Sequence, residues 1–317
     1  MWRIVISLLL LTRFAPAAQP AAAGKGQDPE SYKISVDVNL VVLNATVLDR
    51  QGRFVSDLGE GDFAVYEDGV RQSIRLFQHE DIPVTVGLVV DHSGSMLPKL
   101  TEVVTAARTF VRSSNLEDRM FVVNFNEYVT IGLPGGQGFT NRPDELESAI
   151  LRAPATGQTA LYDAVAAALV QLRTSAQEKK VLIVISDGGD NASAHSLSEV
   201  LKIAEESSAV IYAIGIFEQE DADQNPDVLG RLARATGGEA YFPGHLNEVV
   251  SICQRIARDI RNRYTIGYTP ASAAKPGVYR AIRVVAGGKA YGKLAVRARS
   301  GYIAGGDRRS APRETAK

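Results

Sequence analysis

Two apolar runs of the chain each end abruptly at an aspartate. The first run covers residues 84–90 and ends at Asp91, with Ser93 and Ser95 close behind it. The second covers residues 181–185 and leads into Asp187. Continuous apolar runs of this length predict strands that are buried on both faces of a parallel sheet. Ligands bind just outside the carboxyl ends of such strands, so these four side chains are candidates for chemistry.

The spacing of the first group favours convergence on one point. In a locally extended chain, residues i, i+2 and i+4 point to the same side, as Asp91, Ser93 and Ser95 would. Gly94 between the two serines allows a close backbone turn. Thr159 lies in a loop between the two strands in sequence. If the strands are neighbours where the strand order reverses, this loop can bring Thr159 to the same place.

This set of two carboxylates and three hydroxyls, with no thiolate, predicts a site for a hard cation. Mg²⁺ fits best, because it takes oxygen ligands at about 2.0–2.1 Å and usually keeps several waters. Ca²⁺ and Mn²⁺ are alternatives. An incompletely filled coordination shell leaves a position for an outside ligand, most naturally a carboxylate. Each residue alone could instead cap the N-terminus of a helix.

Two neighbours of the candidate ligands have other expected roles. Asp190 could accept hydrogen bonds behind the metal ligands, although a solvated loop acid is the simpler interpretation. His92, between Asp91 and Ser93, is expected to point away from Ser93 and to lie at the surface.

These residues resemble the metal-ion-dependent adhesion site of the von Willebrand factor type A domain. The resemblance rests on Asp91-x-Ser93-x-Ser95, on Thr159 within Gly-x-Thr-Ala-Leu-Tyr-Asp, and on Asp187 within Ser-Asp-Gly. It implies that Ser93, Ser95 and Thr159 bind metal directly or through water, and that Asp91 and Asp187 bind directly or through a metal-bound water. Gln158 departs from the pattern, because a second glycine often precedes the threonine.

The flanks of this domain resemble a bacterial subgroup of the same family. The N-terminal flank carries Asp-Phe-x-Val-x-Glu-Asp-Gly at residues 62–69. The C-terminal flank carries Tyr-x-Ile-Gly-Tyr at 264–268 and Arg-Ala-Arg-Ser-Gly-Tyr at 297–302.

The chain divides by pattern into an α/β domain with β-rich flanks. Residues 83–262 alternate strands and helices, which predicts a doubly wound, mostly parallel, Rossmann-like sheet covered on both faces. Residues 34–82 and 263–304 contain short strands with Asp-Gly-type turns, typical of antiparallel sheets. We expect these two flanks to form one small sandwich-like β unit.

The ends of the chain have other compositions. Residues 1–18 have the layout of a secretory signal peptide, although a retained membrane anchor is an alternative. Residues 19–33 are predicted to be a flexible linker, and residues 305–317 a disordered tail. The mature chain has no predicted transmembrane span and is expected to be secreted or periplasmic.

Overall composition is that of an ordinary globular protein. Of the 317 residues, 45% are hydrophobic and 22% charged, and the formal net charge is −1. No basic cluster suggests nucleic-acid binding. Cys253 is the single cysteine, so no intrachain disulfide can form, and its helical context predicts a buried apolar role.

The sequence therefore favours a secreted, metal-dependent binding module for an unidentified protein partner that offers a carboxylate. A structural envelope protein with an idle metal site is an alternative. A Mg²⁺-dependent hydrolase is a weaker one, because the Gly-x-Ser-x-Gly and P-loop patterns are absent from the sequence.

Overall fold

The computed structural model of the protein describes residues 40–79, 81–217, 224–272, 275–288 and 291–305. The predicted signal peptide, the linker and nearly all of the predicted tail lie outside these ranges. Fourteen strands occur in the described residues. They are β1 (Val41–Leu48), β2 (Phe63–Glu67), β3 (Val70–Gln72), β4 (Ile74–Gln78), β5 (Val84–Asp91), β6 (Arg119–Phe125), β7 (Val129–Ile131), β8 (Lys179–Ser186), β9 (Val210–Gly215), β10 (Ala240–Tyr241), β11 (Tyr264–Tyr268), β12 (Tyr279–Ala286), β13 (Ala295–Arg297) and β14 (Gly301–Ile303).

Six α-helices and three short 3₁₀ helices complete the described secondary structure. The 3₁₀ helices span Glu60–Asp62, Gly94–Lys99 and Pro134–Gly136. The α-helices are α1 (Leu100–Arg112), α2 (Pro143–Ile150), α3 (Leu161–Arg173), α4 (Leu197–Glu206), α5 (Pro226–Thr236) and α6 (Glu248–Arg261).

The central sheet has the order β10-β9-β8-β5-β6-β7. All neighbouring pairs are parallel except β6 and β7, so β7 forms an antiparallel edge. Every residue of β5 and β8 is buried, as their continuous apolar runs predict. One core packs α1, α2 and α6 on one face of the sheet, and a second packs α3, α4 and α5 on the other. The predicted doubly wound architecture is confirmed.

The two flanks of the chain combine into the expected β unit. One antiparallel sheet has the order β13-β1-β11-β4, and the other has the order β14-β12-β2-β3. Each sheet therefore contains strands from both flanks. The sheets share one hydrophobic core around Leu43, Val65 and Ile266. The sandwich-like unit built from both flanks is confirmed.

The flank motifs meet inside this sandwich around a buried carboxylate. Glu67 is 1% exposed and accepts hydrogen bonds from the hydroxyls of Tyr268 and Tyr302. Arg280 forms an ion pair with the same carboxylate and a second one, at 2.8 Å, with Asp68. Glu67, Tyr268 and Tyr302, one residue from each flank motif, therefore contact one another inside the β unit.

A second buried carboxylate, Asp259 of α6, joins the β unit to the α/β domain. It is 0% exposed and accepts a hydrogen bond from Thr46 of β1 at 2.7 Å. Tyr212 of β9 donates to it at 2.6 Å, and Arg297 of β13 forms an ion pair with it. Arg297 also pairs with Glu239. This network ties strands of both chain flanks to the last helix of the domain.

Two further observations bear on the sequence predictions. Cys253 is buried in α6, as predicted, and burial raises the pKa of its thiol to about 12. None of the helices in the described residues is long and apolar enough to cross a bilayer.

Candidate metal centre

The candidate site lies where the strand order of the central sheet reverses. The chain runs from β5 outward to β6 and β7, then returns to place β8 on the other side of β5. β5 and β8 pair in parallel from Val84 opposite Lys179 to Val90 opposite Ile185. Asp91 and Asp187 therefore emerge side by side from the carboxyl ends of two neighbouring strands. Crevices at such reversals are the usual ligand sites of open α/β sheets.

Four of the five predicted ligands are linked by hydrogen bonds. The Ser95 hydroxyl donates to the Asp187 carboxylate at 2.7 Å, and the hydroxyls of Ser93 and Ser95 are 3.2 Å apart. The Ser93 N–H donates to Asp91 Oδ1 at 2.8 Å. Asp91, Ser93 and Asp187 are all buried, whereas Ser95 is partly exposed. Two carboxylates and two hydroxyls thus face one small region with one open side.

Ser186 is a functional neighbour that was not identified from the sequence. It is the last residue of β8, and its hydroxyl donates to Asp91 Oδ2 at 2.6 Å. The Ser186 hydroxyl oxygen in turn accepts the Gly188 N–H at 3.0 Å. The signal that could have found Ser186 is its place immediately before Asp187 at the end of an apolar strand.

The environment of Asp91 disfavours its charged form. Burial raises the pKa of its carboxyl to about 6, and the nearby Asp187 charge acts in the same direction. The hydrogen bonds from Ser186 and Ser93 oppose this shift. All hydrogen-bond partners of the two carboxylates in the described structure are neutral groups. Both acids are buried, and no ion pair to either of them occurs among the described residues.

Thr159 is held beside this group by its backbone. Its carbonyl accepts the N–H groups of Asn191 and Ala192 at 3.0 and 3.1 Å, and its N–H donates to the Asn191 side chain at 2.9 Å. Its loop also touches the serine loop, because the Gly94 N–H donates to the Gly157 carbonyl at 3.3 Å. In the described structure, the Thr159 hydroxyl makes no hydrogen bond to the other four predicted ligands.

Asp190 contacts the start of the helix that follows Thr159. Its carboxylate accepts the Tyr162 N–H at 3.1 Å and the Ser193 hydroxyl at 2.6 Å. It is half-buried, and burial raises its pKa. Asp190 therefore caps the N-terminus of α3, the helix that follows Thr159. The interpretation as a solvated loop acid was wrong, because the helix start recruits the carboxylate.

The surface position expected for His92 was also wrong. The side chain is 0% exposed, and its ring lies within hydrogen-bonding reach of the Asn124 side chain and the Ala153 backbone. Its N–H donates to the Phe125 carbonyl at 2.7 Å, and its carbonyl accepts the Thr156 N–H at 2.8 Å. These backbone bonds hold the residue between two loops, which directs the ring into the protein. Burial lowers the pKa of the ring.

Comparison with known proteins identifies the family. The family model of the von Willebrand factor type A domain matches residues 85–254, more than half of the chain. The chain belongs to the von Willebrand factor type A family. The matched segment runs from β5 into α6 and contains all five predicted ligands.

Solved structures share the fold of this A domain at low sequence identity. A von Willebrand factor type A protein from Catenulispora acidiphila is 15% identical with a TM-score of 0.51, covering 75% of this chain and 73% of that one. Proximal thread matrix protein 1 from the mussel byssus, with a zinc-occupied MIDAS motif, is 16% identical with a TM-score of 0.51. That match covers 62% of this chain and 50% of the mussel chain. No curated protein matches the chain in sequence.

The residues at the adhesion-site position fit a divalent cation. A domains generally bind a divalent metal there, and here the donors are carboxylate and hydroxyl oxygens. In the described residues, no three His, Cys, Asp or Glu side chains are grouped so as to hold a metal. The hydroxyls of Ser93, Ser95 and Thr159 would therefore have to complete the coordination.

Proposed function

We propose that the protein is a secreted binding module that holds Mg²⁺ at Asp91, Ser93, Ser95, Thr159 and Asp187, and that a carboxylate of a partner protein completes the coordination. The observation that carries this proposal is the hydrogen-bonded group of Ser95, Asp187, Ser93 and Asp91 at the strand reversal. Membership of the A-domain family supports the same location.

Charge balance supports an acidic partner. The two buried aspartates supply two negative charges, and the hydroxyl donors supply none. A divalent cation bound there would have its charge matched but its coordination shell unfilled, since Mg²⁺ takes six ligands. An incoming carboxylate would meet a cation in a low-dielectric crevice, where such an interaction is stronger than in water.

The donor set favours Mg²⁺ over zinc. Zinc in proteins is usually bound by histidine nitrogen and cysteine sulfur, whereas this site offers only oxygen. Because the mussel protein has zinc at its MIDAS motif, zinc should be included among the metals that are titrated. Ca²⁺ and Mn²⁺ belong in the same series.

The metal is tested by unfolding the full chain in Mg²⁺ and in EDTA. At a Mg²⁺ concentration of about 100 times the Kd, binding should add about 2.7 kcal/mol to the free energy of unfolding. Asp187→Asn should abolish this gain. Asp144→Asn is the matched control, because Asp144 is an exposed acid in the first turn of α2. Equal responses of wild type and Asp187→Asn to Mg²⁺ would contradict the metal site.

The binding role is tested separately by capture from periplasmic or extracellular extract. Wild type should retain a protein in Mg²⁺ and release it in EDTA, and Asp187→Asn should not retain it. Metal binding without any Mg²⁺-dependent partner would instead favour the structural protein with an idle site. Turnover on a panel of phosphate and carboxylic esters would favour a hydrolase.

A further inference from the structure

The loop that carries Thr159 reaches the candidate metal centre through an exposed segment. Thr156, Gly157 and Gln158 are exposed, whereas Thr159 is 7% exposed. Surface segments of this kind are the more mobile parts of a fold, so neighbouring side chains do little to fix the residue that follows. The Thr159 hydroxyl must nevertheless be held near the two aspartates if it is to complete the coordination of a cation.

Backbone hydrogen bonds anchor this segment on both sides of Gln158. On one side, the Gly94 N–H donates to the Gly157 carbonyl at 3.3 Å. On the other side, the Asn126 carbonyl accepts the Ala160 N–H at 2.8 Å. The loops after β5 and β6 therefore both hold the segment. The Gln158 N–H lies between these two anchors and is bound by a side chain.

Glu127, in the turn between β6 and β7, binds the Gln158 N–H. Its carboxylate accepts this N–H at 3.1 Å, and the side chain is partly buried. The turn itself is closed by the Tyr128 N–H, which donates to the Asn126 side chain at 2.9 Å. A carboxylate is a stronger hydrogen-bond acceptor than a neutral oxygen. Glu127 thus joins an ordered turn to the residue directly before Thr159.

The position of the Glu127 carboxylate also accounts for the glycine at position 157. Gly157 has a φ of 83°, in the left-handed region that residues with a Cβ rarely adopt. A Cβ at this position would in addition collide with the Glu127 carboxylate. The loop therefore needs glycine here for two reasons, and Glu127 supplies one of them.

We propose that Glu127 is a positioning residue that holds the Gln158 N–H and thereby presents the Thr159 hydroxyl to the cation. This inference rests on the proposed function. Glu127 does not bind the metal itself. It orders the loop before the cation arrives, so that binding does not have to supply the ordering. Groups that orient metal ligands from behind typically change metal affinity by about 10–100-fold.

The loop is first tested without metal, by amide hydrogen exchange of the full chain in EDTA. Glu127→Ala removes the acceptor, so the amides of Gln158 and Thr159 should exchange about tenfold faster or more. Glu127→Gln keeps an acceptor oxygen and should stay within about threefold of wild type. Equal exchange in wild type and Glu127→Ala would overturn the inference.

Glu117→Ala is the matched control for these variants. Glu117 is an exposed glutamate that lies shortly before β6, at the opposite end of the strand from Glu127. Its replacement should leave exchange at Gln158 and Thr159 unchanged. Faster exchange in Glu117→Ala as well would mean that the effect is not specific to the contact between Glu127 and Gln158, and the inference would fail.

Calorimetric Mg²⁺ titration then shows whether the held loop matters to the cation. Glu127→Ala should bind Mg²⁺ about tenfold more weakly than wild type, and Glu127→Gln should bind within about threefold of it. The urea midpoint in EDTA should be nearly the same for all three proteins. Equally weak binding by both variants would assign the effect to the charge of Glu127 and overturn the positioning role.

A double-mutant cycle tests whether Glu127 acts through Thr159. In a Thr159→Ala background, Glu127→Ala should cause no further loss of Mg²⁺ affinity, because the hydroxyl that Glu127 positions is already gone. A further loss of about tenfold, as large as in wild type, would contradict the inference.

The two measurements also separate this inference from the metal proposal. If wild type binds Mg²⁺ and Glu127→Ala binds it equally well, the positioning role fails while the proposed function stands. If wild type binds no Mg²⁺, the proposed function fails, and the exchange rates in EDTA still decide whether Glu127 holds the Thr159 loop.

Discussion

Two regions of this molecule bury aspartates, and they treat the charge in opposite ways. At the joint between the β unit and the A domain, Asp259 is paired with Arg297 and has Arg263 at 3.9 Å. At the carboxyl ends of β5 and β8, the hydrogen-bond partners of Asp91 and Asp187 within the described residues are neutral. Burying a charge is costly unless it is paired, and in the part of the chain that the structure describes only the first region has a cation beside its acid.

This difference separates structural acids from functional ones. At the joint the chain provides its own arginine, and the network holds strands from both flanks against α6. At the strand ends, no basic side chain of the described residues forms an ion pair with either acid. Burial of acids alone would not distinguish the two regions. The identity of the partner does, and the partner that we propose for the second region is a cation from solution.

The largest expected effect comes from removing the cation at the joint. Arg297→Met leaves Asp259 and Glu239 without their arginine, and breaking one side of a buried ion pair typically costs about 3–5 kcal/mol. Urea unfolding should show this loss. Arg53→Met is the control, because its pair with Asp49 lies at the surface with the arginine 77% exposed, and it should leave the free energy of unfolding nearly unchanged.

The joint variant also sharpens the comparison with the metal centre. Folded Arg297→Met should bind Mg²⁺ as wild type does, since Arg297 contacts none of the proposed ligands in the described structure. Adding Asp259→Asn should recover part of the lost stability, because it removes a buried charge that would then face only the more distant Arg263. A loss of Mg²⁺ affinity in Arg297→Met would show that the two regions are coupled.

At the metal centre, removing a charge should raise the free energy of unfolding, by less than Arg297→Met lowers it. Burial raises the pKa of Asp91 to about 6, against about 3.9 in an unfolded chain. The protonated folded state is therefore favoured below about pH 4, and this stability is lost as the pH rises through 6. In EDTA, Asp91→Asn should be more stable than wild type at pH 8, by on the order of 3 kcal/mol, and should lose this advantage at pH 4.

Unfolding in EDTA at several pH values checks this prediction. Asp144→Asn is again the control and should follow wild type across the range. Asp91→Asn should also fail to gain stability from Mg²⁺. If its stability relative to wild type were the same at pH 4 and pH 8, the metal-free site would not penalise the buried charge.

The sequence was sufficient to predict the architecture and the position of the candidate site. The apolar runs that end at Asp91 and Asp187 have no plausible place except the middle of a parallel sheet, and the structure makes them neighbours. The strand character of both flanks led to the shared β unit, which two antiparallel sheets, each with strands from both flanks, confirm. These predictions depended on periodicity and strand ends, which are local properties of the chain.

The features that were missed depend on contacts between distant segments. His92 was expected at the surface because its side chain should point away from Ser93, but backbone bonds to Phe125 and Thr156 hold it inside. Asp190 caps a helix that begins 29 positions earlier, at Leu161. The pair between Asp259 and Arg297 spans two units of the fold. No local pattern encodes such partners.

The smallest expected effect concerns Ser186. Its neutral hydroxyl stabilises the Asp91 carboxylate by a hydrogen bond, whereas the charged Arg297 stabilises Asp259 by an ion pair. Ser186→Ala removes the 2.6 Å hydrogen bond to Asp91 and the acceptor of the Gly188 N–H. We expect a loss of about 1–2 kcal/mol at pH 8, and about tenfold weaker Mg²⁺ binding because a support of the ligand is lost. Urea unfolding and calorimetric Mg²⁺ titration measure the two effects.

Ser251→Ala is the matched control, because Ser251 is an exposed serine of α6 that bonds only within its helix, to the Glu248 carbonyl at 2.8 Å. It should change neither quantity measurably. If Ser186→Ala loses stability but binds Mg²⁺ with wild-type affinity, the role of Ser186 is structural, like that of the residues around Asp259. Loss of both stability and Mg²⁺ affinity would show that the neutral Ser186 hydroxyl prepares Asp91 to bind an external cation. An arginine in its place would instead neutralise Asp91 and compete with the cation.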